Sequence, residues 1–120
     1  MSKNVLIADD SSTMRKIILR SLQAVGVSSA VEAADGVEAV QKFQEQPFDL
    51  VLTDWNMPNK NGLEVIREIR AMNAKVPIIM VTTEAEKSRV LEAIQAGVSD
   101  YLVKPFSAET LREKLDKHGC

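Results

Sequence analysis

The chain has 120 residues, 45% of them hydrophobic, with 15 Lys and Arg against 17 Asp and Glu, a formal net charge of −2 and one cysteine, Cys120. That length suits a single domain able to bury its own core without disulfide or metal staples. The charge balance excludes the strongly basic face of a nucleic-acid binder, no apolar run nears the roughly 20 residues of a membrane span, and a lone terminal cysteine, read as a frayed thiol, fits a reducing cytosol.

The opening "MSKN" passes directly into "VLIA" (5–8), which predicts a buried strand with no signal peptide before it. Asp9 and Asp10 follow at once. Two anions about 4 Å apart repel by about 4 kcal/mol at an effective dielectric of 20, so this pair needs a cancelling charge. Ser11 and Ser12 are candidate caps for a helix in which Met14, Ile17, Ile18, Ser21, Leu22 and Val25 recur at helical spacing, with Gly26 as its stop. "AVEAA" from Ala30 reads as a weaker, edge strand. Asp35 and Glu38 are spaced as a capping box for a second helix carrying Val37, Val40 and Phe43. "LVLT" from Leu50 is a strand ending beside Asp54, and Asn61 with Glu64 could cap a third helix carrying Leu63, Ile66 and Ile69. "PIIMV" from Pro77 is a strand leading to Thr82 and Thr83. A fourth helix, begun by Thr83 and Glu86 and stopped by Gly97, carries Val90, Leu91 and Ile94. "YLV" from Tyr101 leads into Lys104 and Pro105, and Leu111 and Leu115 mark a fifth helix. Trp55 is expected to be partly exposed, and His118 to complement the dipole at the last helical turn.

The four stronger strands are continuous apolar runs, as strands covered on both faces are. Five strands alternating with five helices predict a single-domain α/β fold, (βα)5, with a doubly wound parallel five-stranded sheet and helices on both faces. Ligands bind such sheets at the carboxyl ends of the strands. Those ends carry Asp9 and Asp10, Asp54, Thr82 and Thr83, and Lys104. Each alone has an ordinary structural reading, as a cap, a strand-end β-former or a solvated lysine. Together they converge on one edge. One lysine cannot neutralise three acids, and an oxygen-only donor set without His or Cys points to Mg²⁺. A phosphoryl group would find its charge matched there, with Asp54 as nucleophile and the Thr82 hydroxyl and Lys104 at the phosphoryl oxygens.

Four segments, "ADD", "TDWNMPNKNG", "VTTEAEK" and "AGVSDYLVKPF", resemble the receiver domain of two-component response regulators over nearly the whole chain. The wording is most similar to the stand-alone chemotaxis regulators. The resemblance implies the flavodoxin-like strand order 2-1-3-4-5 and a receiver over residues 1–120 with no output domain. It implies that Asp54 accepts phosphate from a histidine kinase, and that Asp10, Asp54 and the Asn56 backbone carbonyl bind Mg²⁺, with Asp9 acting mainly through water. Thr82 and Lys104 would contact the phosphoryl group, and the Lys104–Pro105 bond would be cis. Tyr101 would be an aromatic switch. Asn56 and Glu84 would tune dephosphorylation, and Thr83, where many relatives carry Ala or Gly, departs from the pattern and puts output timing in doubt.

The implied output face comprises Ala85, Glu86, Tyr101, Val103, Phe106 and Lys114. The implied partners are a histidine kinase, the flagellar motor switch protein and a phosphatase, acting on a cytoplasmic monomer that is itself no enzyme. The alternatives are a stand-alone relay or adaptor receiver outside chemotaxis, a receiver excised from a longer protein, and an aspartyl-phosphate phosphatase. The last usually needs a second acid two residues after the nucleophile, where this chain has Asn56.

Overall fold

The structure, a computed structural model, describes residues 3–83 and 88–119. Five strands, β1 (Asn4–Ala8), β2 (Ser29–Ala33), β3 (Leu50–Asp54), β4 (Ile78–Thr83) and β5 (Asp100–Lys104), alternate with five helices, α1 (Ser12–Ala24), α2 (Gly36–Glu45), α3 (Gly62–Met72), α4 (Val90–Ala96) and α5 (Ala108–Lys117). All pairings are parallel, in the order β2-β1-β3-β4-β5, as the resemblance implied.

The continuous apolar runs divide by parity, because successive strand side chains point to opposite faces. Leu6, Ala8, Val51, Ile78 and Met80 pack with Val40 of α2, Ile66 and Ile69 of α3 and Ala93 of α4. Val5, Ile7, Leu50, Leu52, Ile79, Val81 and Leu102 pack with Ile18 and Leu22 of α1 and Leu111 and Leu115 of α5. Neither face is left to water, so neither can be polar.

Helix starts follow the capping chemistry. Ser11 accepts the Met14 N–H, and Ser107 accepts the Thr110 N–H. Asp35 accepts the Glu38 N–H at 2.7 Å, but Glu38 reaches back one residue further than expected, to the Ala34 N–H at 2.9 Å. Asn61 and Glu64 form the full reciprocal box. The expected start of the fourth helix falls partly outside the described residues. Thr83 is the last residue of β4, and α4 begins at Val90 after Arg89, which makes no side-chain cap. Glu86 lies outside the described residues. Leu91 and Ile94 are 64% and 54% exposed, as α4 turns Val90 and Ala93 inward instead. Ile17 of α1, 44% exposed, likewise falls outside a buried stripe that narrows to Ile18 and Leu22.

The start of β5 is fixed by charge. Asp100, its side chain only 7% exposed, meets Lys114 Nζ at 3.0 Å, Lys117 Nζ at 3.4 Å and His118 Nε2 at 3.0 Å. Burial alone would raise its pKa, but the hydrogen bonds from His118, Lys114 and the Tyr101 N–H outweigh burial and hold the carboxyl well below the ordinary 3.8. His118 thus ties α5 to the sheet rather than merely complementing a dipole. A carboxyl with a depressed folded pKa stabilises the fold above its unfolded pKa and loses that contribution as pH falls below it. Asp100→Asn should therefore cost about 1.5–3 kcal/mol at neutral pH, the range for hydrogen bonds to a charged group. Urea unfolding of variant and parent should converge as pH drops below about 4. A gap that persists undiminished in acid would show that the ion pairs are not its cause.

Candidate functional site

The carboxyl edge of the sheet gathers the residues expected there. Asp9 is 1% exposed, and each of its polar atoms has a partner. Its N–H donates to the Ala33 carbonyl at 3.1 Å, extending the β1–β2 ladder. Its Oδ1 accepts the Ser11 N–H at 2.9 Å and its Oδ2 accepts Lys104 Nζ at 3.1 Å. Its carbonyl accepts Arg15 Nη1 at 2.6 Å. Arg15 also pairs with Glu32 on β2 at 3.0 Å, where Lys16 joins at 2.9 Å. The Lys16 hydrogen bond, more than the one from Arg15, holds the Glu32 carboxyl below its ordinary range.

Asp10 is the opposite case. It is exposed, and among the described residues it has no hydrogen bond or ion pair. Asp54, the last residue of β3, is buried; its Oδ1 accepts the Trp55 N–H at 2.7 Å and its Oδ2 lies 3.4 Å from Lys104 Nζ. Lys104 therefore bridges Asp9 and Asp54. One carboxylate oxygen each from Asp9, Asp10 and Asp54 lies within 4.8 Å of the others. Three carboxylates against one ammonium leave a formal charge of −2. Thr82 is fully buried near the end of β4, its hydroxyl donating to the Thr83 carbonyl at 3.4 Å.

The loop after β3 holds the end of that strand in place. The Gly62 N–H donates to the Trp55 carbonyl at 2.7 Å, and a Cβ at position 62 would run into the Asp54 carbonyl oxygen, so only glycine allows this return. Asn59, with φ of 70°, donates to Asp35 Oδ2 at 2.8 Å, anchoring the loop to the α2 cap. The Glu38 N–H first, and Asn59 second, lower the Asp35 pKa.

Trp55 is 5% exposed rather than partly exposed, because Gly62 folds the loop over it and Arg89 covers its ring, with the guanidinium carbon 5.3 Å from the centroid. Asn56 is exposed, and its Oδ1 lies 3.5 Å from Arg89 Nη1. Further along the edge, Lys104–Pro105 is cis. Tyr101, Val103, Phe106 and Lys114 surround a cavity of about 250 Å³, with Lys114 Nζ 5.3 Å from the Tyr101 ring centroid. Glu84, Ala85 and Glu86 lie outside the described residues, as does Cys120. Sequence reasoning missed Arg15, Gly62 and Arg89. The "NKNG" turn signal pointed toward Gly62; nothing local marks either arginine, since each acts on a distant strand.

A family model described as the response regulator receiver domain matches residues 5–116. Chemotaxis protein CheY-3 of Vibrio cholerae serotype O1 is 46% identical over 121 aligned residues, covering 98% of this chain and 93% of its own. Chemotaxis protein CheY1 of Helicobacter pylori strain J99 is 48% identical over 115 residues, covering 93% of each chain. The receiver domain of sensor histidine kinase PA1611 from Pseudomonas aeruginosa PAO1 matches in structure with a TM-score of 0.89 at 32% identity over 100% of both chains, and has a magnesium ion coordinated in its active site cleft. The residues present here can hold such an ion: the donors are all oxygens, and Asp10 offers an exposed carboxylate with no hydrogen bond or ion pair among the described residues.

The two adjacent acids should behave oppositely in metal-free protein. Asp10 adds repulsion and no bond, whereas Asp9 satisfies the Ser11 N–H and Lys104. In EDTA, Asp10→Ala should melt above the parent. Asp9→Ala should lose about 1–3 kcal/mol, the usual penalty for stranding buried partners. Circular-dichroism melts of the two variants test this, and a destabilised Asp10→Ala would contradict it.

Proposed function

Because the chain belongs to the response regulator receiver family, we propose that it is a phosphorylation-activated switch of chemotaxis signalling, in which Asp54 accepts a phosphoryl group from a histidine kinase. The observation that carries this reading is the bridge from Lys104 to Asp9 and Asp54 beside the unpartnered Asp10. It is a site built around negative charge, with one fixed cation beside the proposed nucleophile.

An Asp54 carboxylate oxygen attacks phosphorus of a phosphohistidine. The new P–O bond forms as the P–N bond breaks, and the imidazole leaves with the electron pair and picks up a proton. Lys104 Nζ, already beside Asp54 Oδ2, balances charge on the transferring group. Asp10, Asp54 and the Asn56 carbonyl would hold Mg²⁺, with Asp9 acting through water; when bound, that ion supplies further positive charge at the phosphoryl oxygens. Asn56 carries no acid to drive turnover on other esters, so Asp54 serves as a store of signal rather than a catalytic relay. Asn56 and Glu84 then set how long the phosphoryl group lasts.

The signal leaves by protein contact through Tyr101, Val103, Phe106 and Lys114; Ala85 and Glu86, the other two residues of the implied output face, lie outside the described residues. Aromatic anchors around a cavity favour a partner helix or peptide, and relatives that are chemotaxis proteins make the flagellar motor switch the first choice. We read residues 1–120 as one receiver working in the cytoplasm as a monomer. Among the described residues no helix is long and apolar enough to cross a membrane.

Asp54→Asn should take up no phosphoryl group from acetyl phosphate and Mg²⁺; full labelling of that variant would remove Asp54 from its role. Thr82 is expected to couple the phosphoryl group to Tyr101. Shifting a switch from 1:99 to 99:1 takes about 5.5 kcal/mol, and a hydrogen bond to a charged group supplies about 1.5–3 kcal/mol of it. Thr82→Ala should thus still be labelled at Asp54, yet lose most of the gain in motor-switch peptide affinity that beryllofluoride gives the parent. An undiminished gain, measured by titration, would sever Thr82 from the switch.

A further inference from the structure

Arg89 reaches the loop that follows β3. It stands at the start of α4 without capping that helix. Its guanidinium lies over the ring of Trp55, 5.3 Å from the centroid, and its Nη1 reaches Asn56 Oδ1 at 3.5 Å, the outer limit of a hydrogen bond. Trp55 and Asn56 are the two residues that directly follow Asp54. Trp55 is buried and fixed by the loop return, so it offers Arg89 a rigid platform. Asn56 is exposed, so its amide stands where solvent meets the site.

We infer that Arg89 is a positioning residue that prolongs the phosphoryl group on Asp54 by occupying the side-chain carbonyl of Asn56. The inference rests on Asp54 being the acceptor. In hydrolysis the oxygen of a water forms a new bond to phosphorus on the side opposite Asp54. The P–O bond to Asp54 breaks with its electron pair returning to the carboxylate, and the water's proton leaves with phosphate or solvent. A side-chain amide oxygen near the solvent side can accept a hydrogen bond from that water and hold it in line. A guanidinium bound to the same oxygen competes with the water. Stacking on Trp55 holds the guanidinium there, because a cation over an indole face is attracted by the ring quadrupole.

The experiment loads parent, Arg89→Ala, Asn56→Ala and the double variant with acetyl phosphate and Mg²⁺, removes the donor and follows decay of the acyl phosphate. Arg89→Ala should decay roughly three- to tenfold faster than the parent, the factor that one hydrogen bond commands. In the Asn56→Ala background the same change should leave the decay rate unaltered. Trp55 emission of the metal-free protein should also shift in Arg89→Ala. Decay of Arg89→Ala at or below the parent rate overturns the inference, as does an acceleration that persists without the Asn56 amide, or an unchanged Trp55 emission. A parent that takes up no phosphoryl group overturns the acceptor assignment instead, and the role of Arg89 with it.

Discussion

The contact on which this molecule turns is the one Lys104 makes with two acids at once, 3.1 Å from Asp9 and 3.4 Å from Asp54. Asp9 follows β1 and Asp54 ends β3, neighbours within the sheet, and the lysine ends β5, at its edge. The side chain reaches past β4 to meet them. Without it, three carboxylates would share one sheet edge with no fixed cation between them. With it, repulsion is reduced but not abolished, and the residual negative charge makes the edge receptive to a divalent cation. Stability and function pull against each other at this point. Full neutralisation would be more stable and would bind nothing.

Around this contact the chain divides its polar chemistry by burial. Asp9 has a partner at each of its polar atoms, including the carbonyl that Arg15 holds, so it acts as structure as much as ligand. Asp10, one residue on, is exposed and uncommitted among the described residues. Both acids follow the end of β1 and bring carboxylate oxygens within 4.8 Å of each other; the split arises because the Ser11 N–H and Lys104 engage the Asp9 carboxylate while that of Asp10 stands in solvent. Arg15 and Glu32 then couple the turn to the edge strand β2.

The sequence made the sheet legible because four of the five strands are short continuous apolar runs, the pattern of strands covered on both faces. Capping pairs marked two of the helix starts and a candidate serine cap a third, and the convergence of Asp9, Asp10, Asp54 and Lys104 followed from topology alone. Thr83 and Glu86 have the spacing of a capping box; Thr83 is the last residue of β4, paired with Lys104, and Glu86 lies outside the described residues. The exposure of Leu91 and Ile94 was equally hidden, since helical spacing reveals that an apolar stripe exists but not which part of it meets the core. Arg15, Gly62 and Arg89 escaped because their partners lie on other elements. A collision between a hypothetical Cβ and the Asp54 carbonyl is a fact of three dimensions that no spacing rule contains.

The tie between Lys104 and Asp9 joins residues 95 positions apart. Pairings so distant form late, because the chain must be ordered between them before they repay its loss of freedom. As a ribosome delivers the chain from its amino end, β1 and β3 can bring their acids together long before β5 exists. A nascent chain that has reached β4 therefore carries its carboxylates at their most repulsive. Ambient divalent cation and the arriving β5 are rival remedies for the same electrostatic stress. The strand that brings Lys104 at its end also brings Asp100, with its basic helix, at its beginning. The last strand thus locks itself down at both ends, and the acid edge becomes quiet only when synthesis of that strand is complete.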